Sequence, residues 1–384
     1  MRKSNYLILS GIYFNFDDDL TDIEYVKESF KNQNILDLFR FDKITIIKKI
    51  NYENNINFIY LPQSIEIIDD ESFESNQIKI LDLSNCINLK IIKFWAFRNN
   101  QIKQLKLPQN IEIIENVFAY NKIKLLDLSN YTKLKAIESK SFEYNQIKQL
   151  KLPQNIETID DYAFDGNQIE TLNLSNCKNL KIINEGSFFE NKIKYLKLPS
   201  NIEKIKKYAF SENQIQILDL SKCLKLKLID PSCFEHNQLK QLKLPENIEI
   251  IDEFAFYSNQ IKILDLSNCI KLKNIGIYAF TKNQIKQLKL PENIEIINSF
   301  SFYKNQIEIL DLSNCIKLKH IVFDAFSNNL LNEIKILNDI TIDYDNDYDY
   351  KDDLWNRFVK YYNDNEKKAG DYKLENNEWK WYPL

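Results

Sequence analysis

From Tyr60 to Leu337 the chain repeats one order of apolar and polar positions. Its strand signature is Ile-x-x-Leu-x-Leu, as at Ile261, Leu264 and Leu266, which sets alternate side chains on one face and predicts a short half-buried strand. A turn follows, Pro-x-Asn at Pro245 to Asn247 or Ser-Asn-Cys at Ser267 to Cys269, and these residue types lead the chain off a sheet. A second apolar set, such as Ile248 and Ile251, predicts a return path. A small residue plus Phe, for example Ala255-Phe256, predicts a single helical or 3-10 turn on the opposite wall. Successive coils of this kind would stack their strands in parallel, about 4.8 Å apart.

The register is strict. Phe recurs at 73, 97, 118, 142, 164, 188, 210, 234, 256, 280, 302 and 326, each with Asn three residues later, from Asn76 to Asn329. The steps alternate between 24 and 22 residues, with one step of 21 just before Phe118. The unit is therefore a pair of coils. In the stretch Leu242 to Cys269 the shorter coil leads into the longer, a pairing that places Lys243 beside Asp265 and Gln241 beside Ile263. The residue before the Phe is small at Ser72, Ala96, Ser141, Ala163, Ala209 and Ala279, and is Val117 in the shortened coil. One buried Phe contributes about 1.5–3 kcal/mol, too little to order a coil against its chain entropy, so stacking between coils has to supply stability. That predicts one cooperative body.

Three regions follow. Residues 1–55 read as an N-terminal cap with a degenerate repeat: Glu28 to Leu38 echoes Glu71 to Leu83 with two residues missing, and Asp22 to Phe30 has Ile23, Val26 and Phe30 at helical spacing. A terminal repeat lacks a neighbour on one face and is expected to be atypical. Residues 56–337 are the array of alternating 22- and 24-residue coils, and 338–384 an acidic linker, a helix and a hairpin. The tail aromatics Trp355, Phe358, Tyr361, Trp379 and Trp381 are expected to cover the last coil, because an open sheet edge invites aggregation.

Two elements carry a family resemblance: Leu-x-Leu-Pro-x-Asn-Ile-x-x-Ile at Leu242 to Ile251, and Ala-Phe-x-x-Asn-x-Ile-x-x-Leu at Ala255 to Leu264. Over about residues 56–337 the chain resembles leucine-rich repeats, specifically the bacterial-surface-antigen (BspA)-like class also found in protists and giant viruses. The resemblance implies an α/β fold: a right-handed leucine-rich-repeat solenoid with a parallel concave β-sheet and short helical or 3-10 turns on the convex side. Ala369, Gly370, Tyr372 and Trp379 resemble the short ending that follows such repeats in some host-associated bacterial members. For activity the resemblance implies little, since such folds host many binding roles.

Composition narrows the chemistry. The 384 residues carry 51 basic and 55 acidic side chains, a formal net charge of −4, which gives no strong pull toward nucleic acid or an anionic membrane. Five Gly and two His leave little material for phosphate loops, acid–base work or metal ligation, and there is no nucleophile elbow. No apolar run approaches the roughly 18 residues of a membrane span. Met1-Arg2-Lys3 and the apolar run Leu7 to Phe16 imitate a signal peptide. However, Ser10, Gly11 and Asn15 interrupt that run, and Asp17 to Asp19 stand where a cleavage site wants small residues. The expectation is a cytoplasmic monomer without cofactor or metal.

Cys86, Cys177, Cys223, Cys269 and Cys315 share one position two coils apart, with Tyr131 substituting once. A separation of about 10 Å is too long for disulfides or for shared zinc, so buried thiols facing the turn backbone are expected, in one column with Asn110, Asn155, Asn201, Asn247 and Asn293. Cys233 and His236 lack further ligands nearby in sequence. Asp343, Asp345, Asp347 and Asp349 imitate a calcium loop, yet Tyr348 replaces the turn Gly and Leu354 the bidentate Glu, which favours a solvated linker.

The exposed concave face is more informative. Between the paired leucines, Asp82, Asp127, Asp219, Asp265 and Asp311 alternate with Lys106, Lys151, Lys197, Lys243 and Lys289, with Asn173 once, a ladder that neutralises itself. Two residues earlier stand Ile80, Leu125, Ile217, Ile263 and Ile309, alternating with Gln and broken by Thr171 and Tyr195; a third column is mostly Lys. An apolar stripe on a wet sheet marks a partner site. Copying of the two-coil unit would make the same columns regular without selection. Both readings stand at this level. The partner-binding candidates are Ile80, Leu125, Tyr195, Ile217, Ile263, Ile309, Lys197, Lys243 and Lys289. The expected role is a non-enzymatic module that binds an unidentified protein. The alternatives are a secreted or surface adhesin and a substrate adaptor in a ubiquitin-ligase-type complex.

Overall fold

Apolar–polar alternation over three residues is enough for one strand per coil. In Ile263–Asp265 the middle Leu264 is buried while Ile263 and Asp265 face outward, and the same order recurs at Ile217–Asp219, Gln241–Lys243, Gln287–Lys289 and Ile309–Asp311. The return path makes a second, two-residue strand, as at Ile250–Ile251 and Asn274–Ile275. The computed structural model describes residues 5–9, 12–16, 35–39, 44–49, 56–337, 339–343 and 353–383. The sequence-predicted helix at Asp22 to Phe30 and the aspartates 345, 347 and 349 lie outside the described residues.

The chain divides into two compact units, residues 1–172 with 176–180, and 173–175 with 181–384. In the first, Asn5–Leu9 and Ile12–Phe16 pair antiparallel, and Ile12–Phe16 pairs with Ile46–Lys49, which starts the parallel series Ile67–Ile68 and Ile91–Ile92. Ile35–Asp37, the described part of the degenerate repeat, runs parallel to Phe58–Tyr60. In the second unit, short strands from Leu228–Ile229 to Thr341–Ile342 form a six-stranded parallel sheet. That unit ends on a hairpin, Gly370–Glu375 and Glu378–Tyr382, laid antiparallel on Glu333–Ile336. Helix α1 (Leu354–Asp364) is capped by Asp353, whose carboxylate accepts from the N–H groups of Trp355, Asn356 and, in the last coil, Asn328. Trp355 packs on Phe326 at 5.0 Å between ring centroids, and Trp355, Phe358 and Trp379 are buried. Trp381 stays outside and donates its Nε1–H to Ala369 O at 3.0 Å; a Cβ at position 370 would meet that ring, which explains Gly370.

The opposite wall of each coil carries the Phe. Rings of consecutive coils stack nearly parallel at 5.5 to 5.6 Å through Phe188, Phe210, Phe234 and Phe256. The turn around each ring consists of i to i+3 bonds: Ala255 N–H donates to Asp252 O and Tyr257 N–H to Phe254 O. Phe254 and Ser258, two residues either side of Phe256, both have φ 56°. Left-handed backbone costs a non-glycine residue roughly 1 kcal/mol. Here it aims N–H groups at the next coil, where Phe254, Phe256 and Ser258 donate to Ile277, Ala279 and Thr281, each at 2.9 Å. Asn259 closes the other side. Its Oδ1 accepts from Leu239 N–H at 2.9 Å, and its Nδ2 donates to Phe234 O at 2.9 Å and Phe256 O at 3.2 Å.

Candidate functional site

The outward residues of the three-residue strands form the candidate surface. In the second unit the first position of the three-residue strands is exposed: Tyr195 is 70% exposed, Ile217 57%, Ile263 60% and Ile309 51%. Its side chain cannot turn inward, because the leucine after it fills the core. Gln241 and Gln287 fill the intervening positions, in register with Ile217 and Ile263. In the first unit Ile80 and Leu125 occupy the same position, 47% and 65% exposed, in register with Gln104 and Gln149.

The register adds a detail to the two-coil unit. Three-residue ladders join long-coil strands to the short coil that follows, so Asp219 faces Lys243 and Asp265 faces Lys289. The strands of Lys243 and Asp265 are neighbours without a ladder, whereas single bridges join short to long strands at Gln149 with Thr171 and Tyr195 with Ile217. The reason lies in the turn. Asp265 Oδ1 accepts from the N–H of Ser267 at 3.0 Å and from its hydroxyl, which leaves Oδ2 facing the next coil, 3.7 Å from Lys289 Nζ. The Ser267 hydroxyl, its N–H and Lys289 together hold the Asp265 carboxyl below the usual carboxylate range against the opposing effect of burial. Asp219 is held low in the same way by Ser221 and Lys243. Lys106 and Lys151 reach Asp82 and Asp127 at 2.8 and 2.9 Å in the first unit. Lys197 is exposed and, among the described residues, has no ion pair; its coil follows the one that carries Asn173 in place of an aspartate.

Beside the stripe runs the lysine column. Lys240, Lys262 and Lys286 are exposed and, among the described residues, make no ion pair. Lys240, Gln241, Lys243, Lys262, Ile263 and Asp265 line a shallow depression of about 650 Å³. It lies where a short-coil strand meets the long-coil strand after it without a ladder.

The cysteines sit as the two-coil spacing requires. All six are buried and free. The thiols of Cys177 and Cys223 point at Pro153 O and Pro199 O of the preceding coil, each at 3.7 Å. Burial pushes Cys269 up to about 11 and Cys315 to about 12, with Asp265 and Asp311 adding to the effect, so these thiols are unreactive at neutral pH. The asparagines of the same column use a different carbonyl: Asn247 and Asn293 donate to Leu224 O and Ile270 O, just after the preceding coil's cysteine, at 3.0 and 2.7 Å. Cys233 stands where most other coils have Ser or Ala, its sulfur 3.2 Å from Ile205 O. Asp343, the described end of the aspartate run, is 2.8 Å from His320 Nε2. Among the described residues no cluster of His, Cys, Asp and Glu could hold a metal ion.

Two features escaped the sequence reading. Leu224, Ile270 and Ile316 follow the turn cysteines and are half-exposed, the product of two extra residues in each long coil. The column directly after each Cys held that signal. On the outer wall Phe254, Tyr278 and Phe300 stack at 4.9 Å each, so these rings occupy one another's faces. Aromatic residues two before the core Phe held that one.

Parallel strands in coils of 22 and 24 residues, a phenylalanine spine and an asparagine ladder define a leucine-rich-repeat solenoid, an architecture whose extended faces serve as binding surfaces. The family model described as BspA type leucine rich repeat region (6 copies) matches residues 44–170, 112–227, 159–271 and 251–352, and the chain belongs to that family. Among solved structures the chain is similar to the functional domain of InlJ from Listeria monocytogenes, whose structure includes a cysteine ladder. The two are 17% identical over 81% of this chain and 70% of that one, TM-score 0.44. It is also similar to a leucine-rich repeat protein from Bacteroides ovatus (16% identical, 85% and 98% covered, TM-score 0.37). A third is a leucine rich cell surface protein from Faecalibacterium prausnitzii (14% identical, 86% and 94% covered, TM-score 0.37). No curated protein gave a significant match. Among the described residues no helix is long and apolar enough to cross a membrane.

Proposed function

We propose that the chain is a non-enzymatic protein-interaction module that binds a protein partner through its long-strand face. One observation carries the reading: Tyr195, Ile217, Ile263 and Ile309 leave more than half of their surface in water, at the same outward position of successive coils in the second unit. Aliphatic side chains gain about 25 cal/mol for each Å² removed from water, so this face gains most from being covered by a partner. Lys243 and Lys289 flank it opposite Asp219 and Asp265 and set register rather than affinity, because exposed pairs contribute little, and Lys197 flanks it without such a pair among the described residues. The expected home is the cytoplasm, which the six free thiols suit. Recovery of the protein from the outer surface of the producing cell would overturn that placement and favour an adhesin.

The test of the surface is affinity capture with the whole chain as bait and identification of bound proteins by mass spectrometry. Ile217→Asp with Ile263→Asp is expected to abolish capture of the specific partner while the circular dichroism spectrum and unfolding midpoint stay those of the parent. Undiminished capture by that double variant removes the stripe from consideration.

A further inference from the structure

We infer that the occupant of this face is an acidic amphipathic α-helix lying along the stack of coils, with an apolar residue at every seventh position. The inference rests on the interaction-module reading and deepens it.

Spacing comes first. Ile217, Ile263 and Ile309 recur every second coil, with Gln241 and Gln287 between them. Two coils advance about 9.6 Å at the usual strand separation. Seven residues of α-helix advance about 10.5 Å, so a helix parallel to the stack meets each isoleucine with a side chain of one face, drifting by about 2 Å over three contacts. An extended strand repeats one face about every 6.7 Å and falls out of step after one contact.

Charge comes second. On one side of the stripe the aspartates at 219 and 265 are tied to Lys243 and Lys289, and that column offers no net charge to a ligand. On the other side Lys240, Lys262 and Lys286 stand in three consecutive coils, exposed and without ion pairs among the described residues. Gln216 and Glu308 take the equivalent position in the coils before and after, so the cationic row is bounded. Its step of one coil, about 4.8 Å, is close to the 5.4 Å turn of a helix, which lets carboxylates three or four residues apart meet successive lysines. A plain polyanion fits poorly, because the aliphatic stripe offers it nothing and the self-neutralised column behind adds no attraction. A helix with one acidic edge and one apolar edge uses both columns.

The experiment titrates the whole chain into a labelled helical peptide of about three heptads, with Leu at every seventh position and Glu along one flank, followed by fluorescence anisotropy. A peptide of the same composition in scrambled order and a single-stranded DNA oligonucleotide are the comparators. Saturable binding of the heptad peptide alone is expected. Lys240→Glu, Lys262→Glu and Lys286→Glu together, or higher salt, should weaken it by about tenfold or more. Equal binding of the scrambled peptide or the oligonucleotide overturns the inference in favour of a polyanion site, and no binding of the heptad peptide overturns it outright. The Gln variants of the same lysines serve if the Glu variants fold poorly. Failure of the two readings is separable with the captured partner. Loss on Ile217→Asp with Ile263→Asp but retention on the lysine triple variant keeps the module and rejects the acidic helix. Retention on both rejects the face.

Discussion

The two walls of a single coil in the second unit obey different rules. On the phenylalanine wall every coil repeats the same solution, Phe with Asn three residues on, and nothing replaces either between Phe188 and Phe326. On the strand wall the outward position is Tyr, Ile or Gln in turn. The difference follows from what each side chain must satisfy. Asn259 serves four backbone groups belonging to two coils, and no other side chain has that donor and acceptor set at that length. Ile263 serves none and is answerable only to whatever covers it.

The comparison breaks most sharply at the ring. Phe256→Ala opens a cavity between Phe234 and Phe280 and should lower stability by about 3–5 kcal/mol, read from the urea midpoint of the whole chain. A loss no larger than that of an exposed substitution would mean the rings are not the spine of the stack. Next is Asn259→Ala. It strands the N–H of Leu239 and the carbonyl of Phe234 in a buried site, an expected loss of about 2–4 kcal/mol. Hydrogen exchange at Leu239 reports it locally, and slow exchange retained there would contradict the bridging role.

The strand wall gives the smallest effect. Asp127, Asp219 and Asp265 have folded pKa values depressed below the unfolded ones, first of all by their turn serines. Their contribution is therefore present above the unfolded carboxylate value, about 3.9, and is lost as pH falls through the lower folded value. Ser267→Ala should cost under about 1 kcal/mol near neutral pH, and its difference from the parent should vanish in acid. A difference that persists unchanged at low pH would show that the serine acts through packing and not through the carboxylate.

How much of this was legible beforehand depended on the range of the interaction. The Phe and Asn columns, the strands and the buried thiols are periodic along the chain, and period alone places them. Which neighbour a coil pairs with is not periodic information. Asp265 has a lysine strand both before and after it, and only the Ser267 hydrogen bonds decide for Lys289. The left-handed residues were hidden for a related reason. Phe254 and Tyr278 occupy backbone that usually calls for glycine, and hydrogen bonds to the next coil, with ring stacking beside them, hold them there. The lysines and isoleucines of the candidate surface were visible as columns, while their exposure and the neutrality of the adjoining ladder needed the fold.

The alternation of two turn types also governs how such a chain can change length by recombination. Excising a single short coil would put the strand of Asp219 next to that of Asp265, two carboxylates with no lysine between them, and would strip Asn247 from the carbonyl of Leu224. Excising a single long coil would set Lys243 against Lys289. Gain or loss of the 46 residues from Phe210 to Ala255 leaves every junction as it was. Copy number in this protein is thus quantised in pairs, and natural variants are expected to differ by whole pairs.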